Sequence, residues 1–302
     1  MTRELQALVS TEWLADRLGR PGIRPIDASW YLPDSRRDPA AEYEAGHIPG
    51  AIFFDLDAHS DPATSLPHML PSAESFTEAM SRLGLNHSDT LVVYDGSGVN
   101  LSAARVWWTF RAFGHERTAV LDGGIGKWRR EGRPLEFGRV TLPRGTFTAR
   151  LFHQWVRNLS QLRANLETRR EQVVDLRPAG RYAGTAPEPR PGIRGGHIPG
   201  SRSLPFTELV NADGTMLPLD RLRDRIEAAG IDLSAPVVAT CGSGTSACAL
   251  VLALHLLGHG AAVYDGAWSE WGGRADTPIA TGSGGRDDVQ SGSRRERSDP
   301  GT

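Results

Sequence analysis

The chain has 302 residues, which at about 150 residues per domain predicts two domains. Its 34 basic and 36 acidic side chains nearly cancel, so no strong basic field is available to attract nucleic acid or an anionic membrane. No apolar run approaches the roughly 18 residues of a transmembrane helix, and the charged, helix-like amino-terminal segment lacks the apolar centre of a signal peptide. We therefore expect a cytoplasmic protein with no nucleic-acid or membrane partner.

In the first half, short apolar runs that end in aspartate indicate buried strands. The run at residues 25–28 contains Asp27, and the run at residues 91–95 ends in Asp95 before a glycine-rich loop. In the second half, strands are predicted at residues 172–175, 236–240 and 262–264. Helices are predicted between them at residues 219–229, with Leu219 on the apolar face, and at residues 247–257. This alternation predicts an α/β fold with a parallel sheet flanked by helices in each half.

Four sequence blocks of the first half recur in the same order in the second half. The motif His-Ile-Pro-Gly occurs at residues 47–50 and again at residues 197–200. The other blocks pair Asp27 with Asp175, Asp95 with Cys241, and Asp122 with Asp265. Because solenoid repeats are about 20–50 residues long, an offset of about 150 residues indicates a duplicated domain. His47 and His197 occur in both copies, so we assign them a structural role.

The repeat also predicts the domain boundaries. We expect a first domain at residues 9–137, a connector at 138–156, a second domain at 157–280 and a tail at 281–302. The connector retains apolar side chains, among them Phe147, so we expect it to be ordered. The tail has one aliphatic residue, Val289, and we expect it to be disordered because it can bury little apolar surface.

The two cysteines, Cys241 and Cys248, are too few for a disulfide scaffold and lack the spacing of zinc ligands. Cys241 directly follows a predicted strand and begins a loop that contains Gly242 and Gly244. Backbone N–H groups of such a loop, together with the start of the next helix, can stabilise a thiolate, which predicts a nucleophile at Cys241. The twin position in the first half is Asp95, so we expect no nucleophile there. Cys248 lies in an apolar helical run and is interpreted as a packing residue.

The paired domains, the repeated His-Ile-Pro-Gly motif and a six-residue loop headed by Cys241 resemble the rhodanese family of sulfurtransferases. The resemblance covers about residues 9 to 280 and implies two tandem rhodanese-like domains, each a parallel sheet flanked by helices. Residues 27–33, 68–71, 105–108 and 241–244 are similar to the branch of the family that uses 3-mercaptopyruvate. Thiosulfate-using relatives tend to carry basic residues directly after the cysteine, whereas Gly242 and Ser243 are neutral.

The resemblance also implies roles for individual residues. Arg181 and Arg190 match the arginines that bind the donor's carboxylate and carbonyl, and a guanidinium can bind a carboxylate through two hydrogen bonds. Ser243, His68 and Asp57 match a proposed relay of hydroxyl, imidazole and carboxylate that moves a proton.

Two points stay open in this assignment. Asp61 is an alternative to Asp57 as the carboxylate beside the histidine. The loop residues Gly242, Gly244, Thr245 and Ser246 are expected to hold the donor and the transferred sulfur through their backbone amides. Thr245 and Ser246 stand where Val-Thr is more common in the family, which affects the detail of the pocket and not the type of reaction.

The resemblance therefore implies a two-step sulfur transfer. Cys241 takes the sulfur of 3-mercaptopyruvate as a persulfide and passes it to thioredoxin, another thiol or cyanide, without a metal or an organic cofactor. The alternatives are a thiosulfate:cyanide sulfurtransferase and a non-catalytic sulfur carrier. A cysteine phosphatase of this fold needs an arginine six positions after the cysteine, and that position is Ala247.

Overall fold

The computed structural model describes residues 5–283, so nearly all of the tail predicted to be disordered lies outside the described residues. The first half contains β1 (Leu8–Val9), α1 (Thr11–Ala15), β2 (Ile23–Asp27), α2 (Pro39–Glu44), β3 (Ile52–Phe53), α3 (Ala73–Arg82), β4 (Thr90–Tyr94), α4 (Leu101–Ala112), β5 (Thr118–Leu121) and α5 (Gly124–Arg130). The second half contains β6 (Val156–Arg157), α6 (Leu159–Thr168), β7 (Gln172–Asp175), α7 (Ala179–Ala183), β8 (Arg202–Ser203), α8 (Leu219–Ala228), β9 (Val237–Thr240), α9 (Ala247–Leu256), β10 (Ala261–Tyr264) and α10 (Ala267–Trp271).

Each half forms one five-stranded parallel sheet. The strand order is β1-β5-β4-β2-β3 in the first half and β6-β10-β9-β7-β8 in the second. Every strand pair in both sheets is parallel. The two halves therefore repeat one topology, which confirms the predicted α/β fold.

The two central strands, β4 and β9, lead to the loops that matter for function. Both strands are buried along their whole length. The chain runs from β2 to the edge strand β3 and then returns to β4 on the other side of β2. Ligands of open parallel sheets bind at such a switch point, outside the carboxyl ends of the strands. The second half has the same switch point between β7 and β9, and the Cys241 loop lies there.

The halves share one apolar core between α4 and α9, the helices that follow the two central strands. Both helices are buried over most of their length, and they contact each other. The ring of Trp107 in α4 lies 5.5 Å from that of His255 in α9. Since both helices are buried on most sides, each provides part of the cover for the other.

Each half also extends a segment over the loop of the other half. The N–H of Leu70 donates to Oδ2 of Asp265 at 2.8 Å, and the N–H of Met216 donates to Oδ1 of Asp122 at 2.8 Å. Asp265 and Asp122 are twin positions of the repeat, so the two contacts are related by the duplication. The segment of the first half reaches the Cys241 loop, and that of the second half reaches the loop after β4.

Two local predictions were wrong. The predicted apolar face comprised Leu219, Leu222, Ile226 and Ala229. Leu219 is 53% exposed at the start of α8, whereas Leu222 and Ile226 are buried and Ala229 packs partly buried against the core. The helix-like amino-terminal segment is divided between a short strand and a five-residue helix. Pairing of β1 with β5 at the edge of the first sheet outweighs the local helical pattern.

The segment that joins the halves has no helix or strand between residues 139 and 152, but it is held along the first half. The N–H of Gly145 donates to the carbonyl of Ser81, and the N–H of His87 donates to that of Thr146. The side chain of Phe147 is 3% exposed and joins the shared core.

Candidate active site

The loop after β9 is held by its carbonyl groups. The carbonyls of Cys241 and Gly242 accept hydrogen bonds from the N–H groups of Trp268 and Ser269, both at 2.9 Å. Cys241 is 1% exposed, and Gly244 adopts a φ of +77°, which favours glycine. The loop is therefore anchored to α10 through two of its carbonyls, and its N–H groups are not used in that contact.

These N–H groups form an unfilled cradle. Among residues 5–283, no oxygen accepts a hydrogen bond from the backbone N–H groups of residues 242–246. The same five residues lead into the amino terminus of α9, whose dipole adds positive potential. A concave set of backbone N–H groups of this kind binds anions. The loop can thus stabilise negative charge on a sulfur atom at Cys241.

In the equivalent loop of the first half, a side chain of the loop itself, Asp95, accepts hydrogen bonds from the loop. The carboxylate of Asp95 accepts hydrogen bonds from the N–H groups of Ser97 and Ala103, both at 2.8 Å. The hydroxyls of Ser97 and Ser102 donate to it as well, at 2.6 and 3.2 Å. In the first half the N–H of Ser97, the twin of Ser243, is therefore already bonded to an internal anion.

His68 reaches the Cys241 loop from the other half of the molecule. It is 3% exposed and holds a φ of +61°, a conformation that side-chain-bearing residues adopt rarely. Its Nδ1 lies 3.1 Å from Oγ of Ser243 and 3.0 Å from Oγ1 of Thr245. Its Nε2 lies 3.2 Å from Oδ1 of Asp57. The structure thus brings together the three residues of the predicted relay and adds a second hydroxyl.

Asp57 is held on two sides. Its Oδ2 accepts a hydrogen bond of 2.9 Å from the indole of Trp30, whose ring meets that of His68 edge-on at 4.6 Å. The hydrogen bond with His68, followed by that with Trp30, lowers the pKa of Asp57 against the opposing effect of burial. The alternative carboxylate, Asp61, accepts from the N–H of Ala63 at 2.9 Å. The position beside the imidazole is therefore taken by Asp57.

Arg181 belongs to a buried chain of alternating charges. Its Nη2 lies 2.5 Å from Oε2 of Glu188, and Oε1 of Glu188 lies 2.7 Å from Nη1 of Arg177. Arg177 in turn pairs with Asp175 at 2.6 Å. Two positive and two negative charges therefore balance along this chain, and Glu188 fixes the orientation of the Arg181 guanidinium.

Arg190 adds an excess positive charge. Together with Arg181, Glu188 and Gly242 it lines a small, tight cleft. Burial, followed by the like charge of Arg181, lowers the pKa of Arg190, and the nearby Cys241 acts in the opposite direction. An anion in this cleft would relieve the repulsion between the two arginines.

Arg105 connects the segment that carries His68 to the Cys241 loop. It is 1% exposed, and its guanidinium donates to the carbonyls of His68 and Gly244. It also pairs with Asp265, whose other carboxylate oxygen accepts from the N–H of Leu70. One buried cation thus holds both the loop and the segment that carries His68.

Cys248 and the repeated histidines lie outside this arrangement of reactive groups. Cys248 is fully buried in α9, its Sγ donates to the carbonyl of Gly244 at 3.3 Å, and burial raises its thiol pKa far above the usual range. His47 stacks on Tyr43 and His197 on Tyr182, each with Nδ1 2.9 Å from the carbonyl of that tyrosine. These contacts agree with packing and structural roles.

Sequence reasoning assigned no site role to Trp30, Glu188, Arg105 or Asp265. Arg105 carried a signal, since it is the single charge in the otherwise uncharged run of residues 101–110. Asp265 carried another, as the repeat twin of Asp122. Neither signal indicates which residue of the other half Arg105 or Asp265 contacts.

Within the described part of the chain, no group of three or more His, Cys, Asp or Glu residues could hold a metal ion. No helix of residues 5–283 combines the length and apolar character needed to cross a membrane.

Residues 10–131 and 158–274 match the rhodanese-like domain family, and the chain belongs to that family. It is 45% identical over 277 residues to the 3-mercaptopyruvate sulfurtransferase of Homo sapiens, covering 89% of this chain and 93% of that protein. It is 42% identical over 290 residues to the thiosulfate sulfurtransferase of Bos taurus, covering 93% and 97%. The crystal structure of SseA from Escherichia coli, a 3-mercaptopyruvate sulfotransferase, is similar with a TM-score of 0.81 and 40% identity, covering 88% of this chain and all of that one.

Proposed function

We propose that this sulfurtransferase takes sulfur from 3-mercaptopyruvate, carries it as a persulfide on Cys241, and gives it to a thiol or to cyanide. The observation that carries the proposal is the unfilled cradle of N–H groups at residues 242–246. The outer sulfur of a persulfide bears negative charge, which suits such a cradle. In the first half the N–H of Ser97, the twin of Ser243, already donates to the carboxylate of Asp95.

In the first step the thiolate of Cys241 attacks the sulfur of the donor. A sulfur–sulfur bond forms, the donor's carbon–sulfur bond breaks, and the electron pair leaves with the carbon as the enolate of pyruvate. The proton of the donor's thiol ends on that carbon, so the products are pyruvate and the persulfide anion. Charge and atoms balance without an external oxidant or reductant.

His68 is suited to move that proton. Asp57 orients the imidazole through Nε2, which leaves Nδ1 to exchange a proton with the loop hydroxyls. In the second step an acceptor thiolate attacks the outer sulfur, and Cys241 leaves again as a thiolate. Thioredoxin or a small thiol would serve as the acceptor, and a cytoplasmic location would supply both.

The charge of the site favours 3-mercaptopyruvate over thiosulfate. The two relatives named for these donors are almost equally similar to this chain, so overall identity does not separate them. Arg181 is balanced by Glu188, and Arg190 contributes the one excess charge beside the neutral Gly242 and Ser243. A single carboxylate matches that excess better than a dianion does.

Mass spectrometry of the intact protein tests the persulfide directly. After mixing with 3-mercaptopyruvate, the wild-type protein should gain the mass of one sulfur atom and release one equivalent of pyruvate. Cys241→Ser should gain nothing, whereas the matched control Cys248→Ala should behave like the wild type. A sulfur adduct on Cys241→Ser would overturn the proposal.

Kinetics with each donor separate the remaining alternatives. A higher kcat/KM with thiosulfate than with 3-mercaptopyruvate would identify a thiosulfate:cyanide sulfurtransferase. A persulfide that forms but does not turn over with thioredoxin, small thiols or cyanide would identify a sulfur carrier.

A further inference from the structure

Two hydroxyl groups compete for one atom of His68. Oγ of Ser243 lies 3.1 Å from Nδ1, and Oγ1 of Thr245 lies 3.0 Å from the same atom. The two oxygens are 3.5 Å apart, and both residues are buried, with Thr245 3% exposed. By distance alone, Thr245 is as good a partner as the serine of the predicted relay.

The backbone of the loop explains why both hydroxyls reach His68. Gly244 separates the two residues and adopts a left-handed φ of +77°. This turn brings the side chains of Ser243 and Thr245 to the same side of the chain. The guanidinium of Arg105 holds the turn by donating to the carbonyl of Gly244.

The chemistry of imidazole allows only one of the hydroxyls to donate at a time. With its proton on Nε2, 3.2 Å from Oδ1 of Asp57, neutral His68 has one acceptor lone pair, at Nδ1. When Nδ1 carries a proton instead, either hydroxyl oxygen can accept it. Either hydroxyl can therefore pair with Nδ1 in both protonation states, and the carbonyl of Ser243, 3.3 Å from Nδ1, is a further acceptor when Nδ1 carries the proton.

We propose that Thr245 is a second, interchangeable hydroxyl partner of His68 Nδ1, acting as a positioning residue beside Ser243. The inference deepens the proposed function and rests on it for the reaction that the relay serves. Because either hydroxyl can donate to the neutral imidazole, loss of one leaves the relay in place. Loss of both leaves Nδ1 beside the carbonyl of Ser243, which can accept a hydrogen bond but cannot donate one. Valine at position 245 keeps the shape of threonine without its hydroxyl, so it removes this contact alone.

A double-mutant cycle in the full chain tests the inference. Ser243→Ala and Thr245→Val should each lower kcat with 3-mercaptopyruvate by less than about fivefold. The double variant should lose about 100-fold, the lower end of what general acid–base catalysis contributes. That loss exceeds the product of the single effects, which is the sign of two groups that replace each other.

A conservative variant distinguishes a hydroxyl effect from a packing effect. Thr245→Ser in the Ser243→Ala background keeps a hydroxyl at position 245. Its kcat should therefore match that of Ser243→Ala alone and exceed that of the double variant. Thermal unfolding of all variants checks that each is folded. A double variant whose loss equals the product of the single losses would overturn the inference, as would a Ser243→Ala variant that already shows the full loss.

A readout in the resting protein separates this inference from the proposed function. The ¹⁵N chemical shift of His68 Nδ1 should stay near the wild-type value in each single variant and should move in the double variant toward that of an imidazole without a hydroxyl partner. This measurement needs no donor. If the shifts behave in this way and no persulfide forms from 3-mercaptopyruvate, the proposed function fails while the shared contact stands. If Ser243→Ala and the double variant have the same shift, Thr245 is not a partner of His68.

Discussion

Arg105 of α4 and Asp265, which follows β10, form a buried ion pair across the two halves, with Nη2 and Oδ1 2.8 Å apart. Both side chains are almost completely buried. The pair joins the segment that carries His68 to the loop that carries Cys241, because Arg105 also donates to the carbonyls of His68 and Gly244. This ion pair therefore contributes to holding the two reactive parts of the site together.

Arg105→Met should destabilise the protein and reduce its activity together. Removing one partner of a buried ion pair typically costs about 3–5 kcal/mol, since the other charge is left uncompensated. Urea unfolding and kcat measured on the same preparation check both effects. Arg82→Met is the matched control, because Arg82 pairs with Glu78 at the exposed surface and should change neither quantity. Wild-type kcat in Arg105→Met would contradict the role given to the pair.

Glu188→Gln should shift donor preference toward thiosulfate. Loss of the carboxylate leaves Arg181 and Arg177 without their shared partner and raises the positive charge of the cleft by one. One extra charge in a partly buried cleft should change the ratio of the two kcat/KM values by about tenfold. Glu78→Gln, at an exposed pair far from the loop, should leave the ratio unchanged. An unchanged ratio in Glu188→Gln would show that charge does not set the preference.

Trp30→Phe should shift the acid limb of the pH–kcat profile to higher pH. The variant keeps an aromatic ring beside His68 but removes the indole donor to Asp57. Hydrogen bonds from His68 and Trp30 lower the pKa of Asp57, so loss of one of them raises that pKa. At neutral pH Asp57 is ionised in both proteins, so kcat should change less there than on the acid limb. The control Trp13→Phe, on the outer face of the first half, should keep the wild-type profile.

His115 should make folding stability depend on pH between about 4 and 6.5. Burial, followed by the nearby His87, lowers its pKa from 6.5 to about 4 in the folded protein. As the pH falls below 6.5, the unfolded chain takes up a proton before the folded one, and stability is lost until about pH 4. The full difference corresponds to about 3 kcal/mol. Asp27, with a pKa raised to about 6 by burial, acts in the opposite direction over the same range.

Comparison with a variant isolates the contribution of His115. Urea unfolding at pH 7 and at pH 5 should show that His115→Phe retains about 2 kcal/mol more of its stability than the wild type on acidification. The effect of Asp27 is common to both proteins and cancels. His153→Phe, at an exposed position, should follow the wild type. Equal losses in His115→Phe and the wild type would contradict the prediction.

Much of the fold could be predicted because its signals are local. The apolar runs before Asp27, Asp95 and Cys241 are buried strands, as expected from their unbroken apolar character. The predicted apolar face of α8 was wrong at Leu219, because a periodic pattern does not indicate how far the core extends along a helix. The helical prediction for the amino-terminal segment was wrong because the edge strand β1 depends on its partner β5, more than 100 residues away in the chain.

The candidate site was only partly predictable. Asp57 and Asp61 lie four residues apart in one segment, and their sequence context does not separate them. The course of the segment separates them, since the N–H of Asp61 donates to the carbonyl of Met69 while Asp57 faces the imidazole. The contact of Thr245 with His68 could not be predicted for a related reason, because nothing in the local sequence indicates which nitrogen a hydroxyl will contact.

By itself, the sequence determined the duplication and the two parallel sheets, and it predicted the position of the nucleophile. Each of these depends on residues that are neighbours in the chain, such as Cys241 and the glycines that follow it. Only the tertiary structure decided which side chains of one half meet the loop of the other. His68 and Ser243 are 175 residues apart in the chain, and Arg105 and Asp265 are 160 apart. Contacts at such separations are set by how two packed halves dock, which depends on the whole interface between α4 and α9.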